Sequence, residues 1–134
     1  MRKINFISIV DDDPIMVFGI KKMLNSSVEC KLVESYKNGK LALESIKESI
    51  TKKKPLPEII FLDINMPIMD GWQFLCEFIS LPIKTIVKVN IVTSSIDNYD
   101  LAQWKFFKNK THHIITFNNK PIKKQEMAKI IKVA

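Results

Sequence analysis

Only two cysteines occur in 134 residues, too few for a disulfide framework or a thiolate metal cluster. Cys30 and Cys76 sit inside apolar patterns and read as buried free thiols in a reducing compartment, so a soluble, cytoplasmic protein is expected. No apolar run approaches the ~20 residues that a membrane span requires, which excludes a membrane role. Met1-Arg2-Lys3 precedes a short apolar run, but that run stops at Val10 on three acids with no small-residue cleavage site, and no targeting segment is read. Three glycines and six prolines gather into no Pro/Gly/Ser linker, repeat or low-complexity stretch. The two histidines, His112 and His113, are adjacent; on a strand they would point to opposite faces, which excludes a two-histidine metal site. Helix-turn-helix, zinc-finger and RNA-binding-sheet signatures are missing too.

What is present is a charge of +7 distributed unevenly. Setting aside Asp11, Asp12, Asp13 and Asp63 together with Lys120 leaves 20 basic against 10 acidic residues, so a basic shell surrounds one acidic spot. The densest basic cluster, Lys52-Lys53-Lys54, precedes Pro55-Leu56-Pro57 and reads as a solvated helix end. A nucleic-acid partner is therefore not expected; a protein partner is.

Apolar, β-branched runs at 4–10, 30–36, 58–62, 87–93 and 113–117 have strand character, and segments 14–24, 38–50, 71–79, 98–107 and 123–133 have helical spacing. Pro14 suits a first helical turn, Asn38 and Asp97 or Asn98 suit N-caps, and Asp13 suits a cap for the first helix. Five βα units with near-continuous apolar strands imply an α/β, doubly wound domain with a parallel sheet covered on both faces. The last helical pattern runs to the C-terminus, so one domain over 1–134 is expected, with no output domain.

In such a fold ligands bind beyond the carboxyl ends of the strands. That rim collects Asp11 and Asp12 after the first strand, Asp63 after the third, Thr93 after the fourth and Lys120 after the fifth. Mg²⁺ takes oxygen ligands, commonly one or two carboxylates with waters and a phosphate oxygen; Asp12 and Asp63 can supply the carboxylates. Without the ion, mutual repulsion disfavours ionising all three acids, so Asp63 is expected to be a poor nucleophile until a cation arrives. A carboxylate can attack a phosphoryl group, and catalysis is then mostly positioning and charge neutralisation. The Lys120 ammonium and the Thr93 hydroxyl fit those supporting roles. An EF-hand reading of 63–70 fails because Pro67 and Ile68 stand where an oxygen ligand and a glycine are needed.

Val10-Asp11-Asp12-Asp13-Pro14, Asp63-Ile64-Asn65-Met66-Pro67-Ile68-Met69-Asp70-Gly71, Val92-Thr93-Ser94 and Lys120-Pro121 together closely resemble the receiver domain of two-component response regulators over essentially the whole chain. The resemblance implies a flavodoxin-like (βα)5 fold with strand order 2-1-3-4-5 and a cis Lys120-Pro121 bond. It makes Asp63 the phosphoacceptor and Asp12 a direct metal ligand. Asp11 would be a ligand mainly through water, the Asn65 backbone carbonyl a further one, and Thr93 and Lys120 would hold the phosphoryl oxygens. It further implies a phosphohistidine donor on a sensor histidine kinase or phosphotransfer protein, and a downstream protein whose identity the sequence does not carry. By the same resemblance, Thr93 and Phe117 would form a switch pair that remodels the face of the fourth helix, fifth strand and fifth helix, through which a homodimer is also compatible with the resemblance. Phe117 lacks a tyrosine hydroxyl, so its inward rotamer has no polar tip to satisfy. Trp104, Phe106 and Phe107 lie near the same face, where an exposed aromatic patch would mark a docking surface. Asn65 and Ser95, two beyond the acceptor and the threonine, would influence how water reaches the phosphoryl group. Two alternatives are a receiver segment of a hybrid kinase or DNA-binding regulator, and an aspartyl-phosphate-forming phosphatase. The latter normally needs a second Asp where Asn65 stands.

Overall fold

The computed structural model describes residues 2–94 and 96–132. Five strands, β1 (Arg2–Val10), β2 (Val28–Tyr36), β3 (Ile59–Leu62), β4 (Lys88–Thr93) and β5 (Ile114–Asn119), alternate with five helices, α1 (Pro14–Ser27), α2 (Gly39–Lys52), α3 (Gly71–Phe78), α4 (Asn98–Lys108) and α5 (Lys124–Ile131). All strand pairs are parallel and the order is β2-β1-β3-β4-β5, as the resemblance implies. Alternate residues of β3 explain why both faces need covering: Ile60 and Leu62 enter the core beneath α2, α3 and α4, while Ile59 and Phe61 enter the core beneath α1 and α5. Fully buried Phe61, Phe74 and Phe78 each contribute roughly 1.5–3 kcal/mol through burial.

The helices begin where short polar side chains can take up unpaired N–H groups. Asp13 accepts from the Ile15 N–H at 3.0 Å, Asn38 from Leu41 at 3.0 Å, Asp70 from Gln73 at 2.8 Å and Asp97 from Asp100 at 2.8 Å. The C-terminus of α2 falls at Lys53, whose φ of 54° is left-handed, and all three lysines there are exposed. Cations hold the last turn of α5: Arg2 Nη1 donates to the Ile131 carbonyl at 2.7 Å and Lys88 Nζ to that of Lys129 at 3.1 Å.

Several boundaries differ from the sequence reading. The first helix runs three residues past Leu24 and passes directly into β2 at Val28. Ser26 and Ser27 hydroxyls donate back to the Met23 carbonyl, at 3.1 and 2.7 Å, closing the helix without a loop. The fifth strand starts one residue later and ends two residues later than expected, leaving His112 and His113 ahead of it. There the two rings lie side by side, 4.0 Å between centroids, rather than on opposite faces of a strand. His113 is buried and accepts from the Val87 N–H at 2.9 Å, which fixes it as a packing residue. The thiols also differ from expectation: Cys30 is half-buried and Cys76 exposed. Val133, placed in the fifth helix by its spacing, lies outside the described residues, and among the described residues no helix is long and apolar enough to cross a membrane.

Candidate functional site

Strand order reverses between β1 and β3, whose ends are locked together by the Asp63 N–H donating to the Val10 carbonyl at 2.8 Å, while the Asp11 N–H donates to the Tyr36 carbonyl at the end of β2 at 3.0 Å. Each strand thus delivers its terminal carboxylate to the same point. Asp11, Asp12 and Asp63 have carboxylate oxygens within 4.8 Å of one another, with Asp11 and Asp63 buried and Asp12 exposed. Lys120 leans in from the end of β5, its Nζ 3.2 Å from Asp11 Oδ2 and 3.5 Å from Asp63 Oδ1. Its backbone N–H donates to the Thr93 carbonyl at 2.7 Å, which ties it to the end of β4. The Lys120-Pro121 bond is cis, as expected. Thr93 is fully buried at the same rim.

The electrostatics follow from this crowding. Burial first, then the Asp11 charge, push the Asp63 carboxyl up, Lys120 and the Asn65 N–H pull it back, and the net value is about 6. Desolvation is therefore a larger cause than the mutual repulsion anticipated from sequence. Burial alone would lower the Lys120 ammonium, but attraction to Asp63 and Asp11 outweighs it and the net shift is upward. Three carboxylates against one ammonium leave an excess of negative charge made entirely of hard oxygen donors, a set that suits Mg²⁺. Asn65 is exposed and contributes its N–H to Asp63. Ser95 lies outside the described residues.

The loop after Asp63 is shaped by two features. The Met69 N–H donates to the Pro67 carbonyl at 2.7 Å, which forces the intervening Ile68 to φ 70°; a β-branched residue in that region is strained. Gly71 lies so close to the strand end that a Cβ would meet the Asp63 carbonyl oxygen at 2.6 Å and Ile64 Cα at 2.9 Å. Only glycine lets α3 start against the loop that follows Asp63.

On the neighbouring face, Phe117 is half-buried with its ring edge-on to Trp104, 4.9 Å between centroids. Trp104 donates from Nε1 to the Ile115 carbonyl at 2.8 Å and carries the Lys108 ammonium over its ring at 4.1 Å. The three aromatics near this face do not form a continuous exposed patch: Phe107 is buried and stacks on Trp72, Trp104 is half-buried, and Phe106 alone of the three is exposed. The rotation of α4 on the sheet puts Phe107 on its core side. Sequence reasoning missed Ile15 and Phe18, 79% and 67% exposed on α1. Phe18 borders a depression of about 520 Å³ that Asp11 and Asp12 also line. A helical pattern alone gave no sign that these two apolar residues face water.

A family model described as the response regulator receiver domain matches residues 7–132. The protein-glutamate methylesterase/protein-glutamine glutaminase 1 of Methanosarcina mazei is 33% identical over 112 residues, 78% of this chain and 29% of the relative. The chain spans between 16% and 29% of the length of this and the related methylesterases of Methanococcoides, Methanosarcina and Methanospirillum. Among solved structures, a two-component response regulator from Cytophaga hutchinsonii superposes with a TM-score of 0.80 at 25% identity, covering 97% of this chain and 96% of that one. The chemotaxis protein CheY4 of Vibrio cholerae shares the fold, with a TM-score of 0.74 at 18% identity over 96% and 97% of the two chains.

Proposed function

This chain belongs to the response regulator receiver domain family of two-component signalling, and from that premise we propose that Asp63 is its phosphoacceptor. The observation that carries the reading is Lys120 set between Asp11 and Asp63, with Asp12 alongside. The donor is a phosphohistidine of a sensor histidine kinase or phosphotransfer protein. An Asp63 carboxylate oxygen forms a bond to phosphorus as the donor's N–P bond breaks, and the imidazole leaves. Lys120 and the Thr93 hydroxyl donate to the equatorial oxygens, where negative charge gathers. Mg²⁺, when bound by Asp12, Asp63 and the Asn65 carbonyl and through water by Asp11, supplies further neutralisation of those oxygens. The donor docks beside the exposed Phe18, which borders the same depression as Asp11 and Asp12.

The phosphorylated state is read through α4, β5 and α5. Thr93 is paired in register with Asn119 and Ile91 with Phe117, so a shift of Thr93 is felt along β5, where Phe117 meets Trp104. A phosphatase cycle is disfavoured because Asn65, at the position of a general acid, cannot donate and recover a proton as a carboxyl does. We assign the chain a signalling role, with self-catalysed phosphotransfer and dephosphorylation, carried by the receiver domain matched over residues 7–132.

Incubation with Mg²⁺ and acetyl phosphate, followed by intact mass, tests the acceptor. One added phosphoryl group, lost with EDTA and absent in Asp63→Asn, is expected. An adduct that survives the substitution, or none at all, would overturn the assignment.

A further inference from the structure

A second depression, of about 520 Å³, lies between β2 and α2, and Tyr36 borders both it and the acidic one. The strand forming one wall is the sheet edge, paired with β1 alone among the described residues. Phe6, Leu32 and Tyr36 give the groove an apolar floor, and Leu41 completes it from the helix. Leu32 and Leu41 are 45% and 47% exposed. Leu41, Glu44, Ser45 and Glu48 follow i, i+3, i+4, i+7, so one continuous face of α2 lines the groove. From Leu41 to Glu48 is seven rises of helix at 1.5 Å, and from Leu32 to Tyr36 four rises of strand at 3.3 Å, a length of about 10–13 Å. That length matches two turns of a helix.

The rim runs against the overall charge of the chain. On a protein of net +7, the groove carries Glu34, Glu44 and Glu48, with Lys54 alone opposing them at one end. Glu48 is held by Lys52 at 3.0 Å, whereas Glu34 and Glu44 have no ion pair among the described residues. Charges on an edge strand guard against strand pairing, but that duty does not call for leucines left open between them. We propose that this groove docks a two-turn amphipathic helical segment of a partner protein, its aliphatic side chains over Phe6, Leu32 and Leu41 and its lysines or arginines over Glu34 and Glu44.

The test is selection of a displayed library of 12-residue peptides on the full chain in Mg²⁺, with amide-shift mapping of the enriched peptides on ¹⁵N-labelled protein. Enriched peptides should carry apolar residues at i, i+3 or i+4, and i+7 with basic residues between, and should move amides within 32–36 and 41–49. Glu34→Lys/Glu44→Lys should weaken them at least tenfold, and Leu41→Gln provides a second, charge-neutral variant expected to weaken them severalfold. Unchanged melting of each variant guards against misfolding. Failure to enrich, peptides without basic residues, equal binding by both variants, or shifts confined to other surfaces would overturn the proposal.

Discussion

Replacing Asp63 with asparagine should stabilise the metal-free protein at neutral pH. The carboxyl is 5% exposed, and its folded-state value of about 6 stands above an ordinary 3.8. That difference costs about 3 kcal/mol when the group is ionised, a figure already net of the attraction from Lys120. Because the folded value is raised, the associated stability is fully present below pH 3.8 and lost as pH rises through 6. His113 acts in the opposite direction. Burial, then the neighbouring His112, lower it from 6.5 to about 4, so its stability is present above 6.5 and lost as pH falls through 4, again by about 3 kcal/mol. In EDTA the wild-type protein should therefore melt at nearly constant temperature between pH 4 and 6.5, while Asp63→Asn should lose stability steadily toward acid. At pH 7.5 the variant should melt about 10 °C higher. Thermal denaturation followed by circular dichroism across that range is the assay. A variant that melts at or below wild type at pH 7.5, or whose advantage persists at pH 4, would refute the reasoning.

Lys120→Met leaves Asp11 and Asp63 facing each other without their ammonium; it should cost about 3 kcal/mol in urea denaturation without metal and slow acetyl-phosphate labelling roughly 10²-fold. Gly71→Ala, whose methyl would press on the Asp63 carbonyl and Ile64 Cα, should lower stability by at least about 2 kcal/mol, read as the urea midpoint. Mg²⁺ at about 100 times its dissociation constant should stabilise wild type by roughly 2.7 kcal/mol. Exposed Asp12→Asn should keep the metal-free melting point and lose most of that gain.

The fold was legible because its signals are periodic and redundant. Each strand is a short β-branched run, each of the first four helices begins at an Asp or Asn that caps it, and the acids fall immediately after strands one and three. Asp11, Asp12, Asp63, Thr93 and Lys120 were legible as a group because parallel topology sends all these strand ends to one rim. Other features depend on packing that no local pattern encodes. Phe107 and Phe106 are neighbours in sequence, yet one stacks on Trp72 and the other faces water, which depends on how α4 is rotated on the sheet. Ser26 and Ser27 could as readily have opened a loop; their bonds back to Met23 decide otherwise. The strained Ile68 had no signal at all, since a β-branched residue argues against a left-handed conformation.

The central claim is that the phosphoryl group resides on one carboxylate. Borohydride reduction of the acetyl-phosphate-treated protein, followed by peptide mass mapping, tests it directly, because an aspartyl phosphate is reduced to homoserine. Conversion confined to position 63 and dependent on Mg²⁺ is the expected result. Conversion at position 11 or 12, or phosphate found on a hydroxyl or histidine side chain instead, would contradict it.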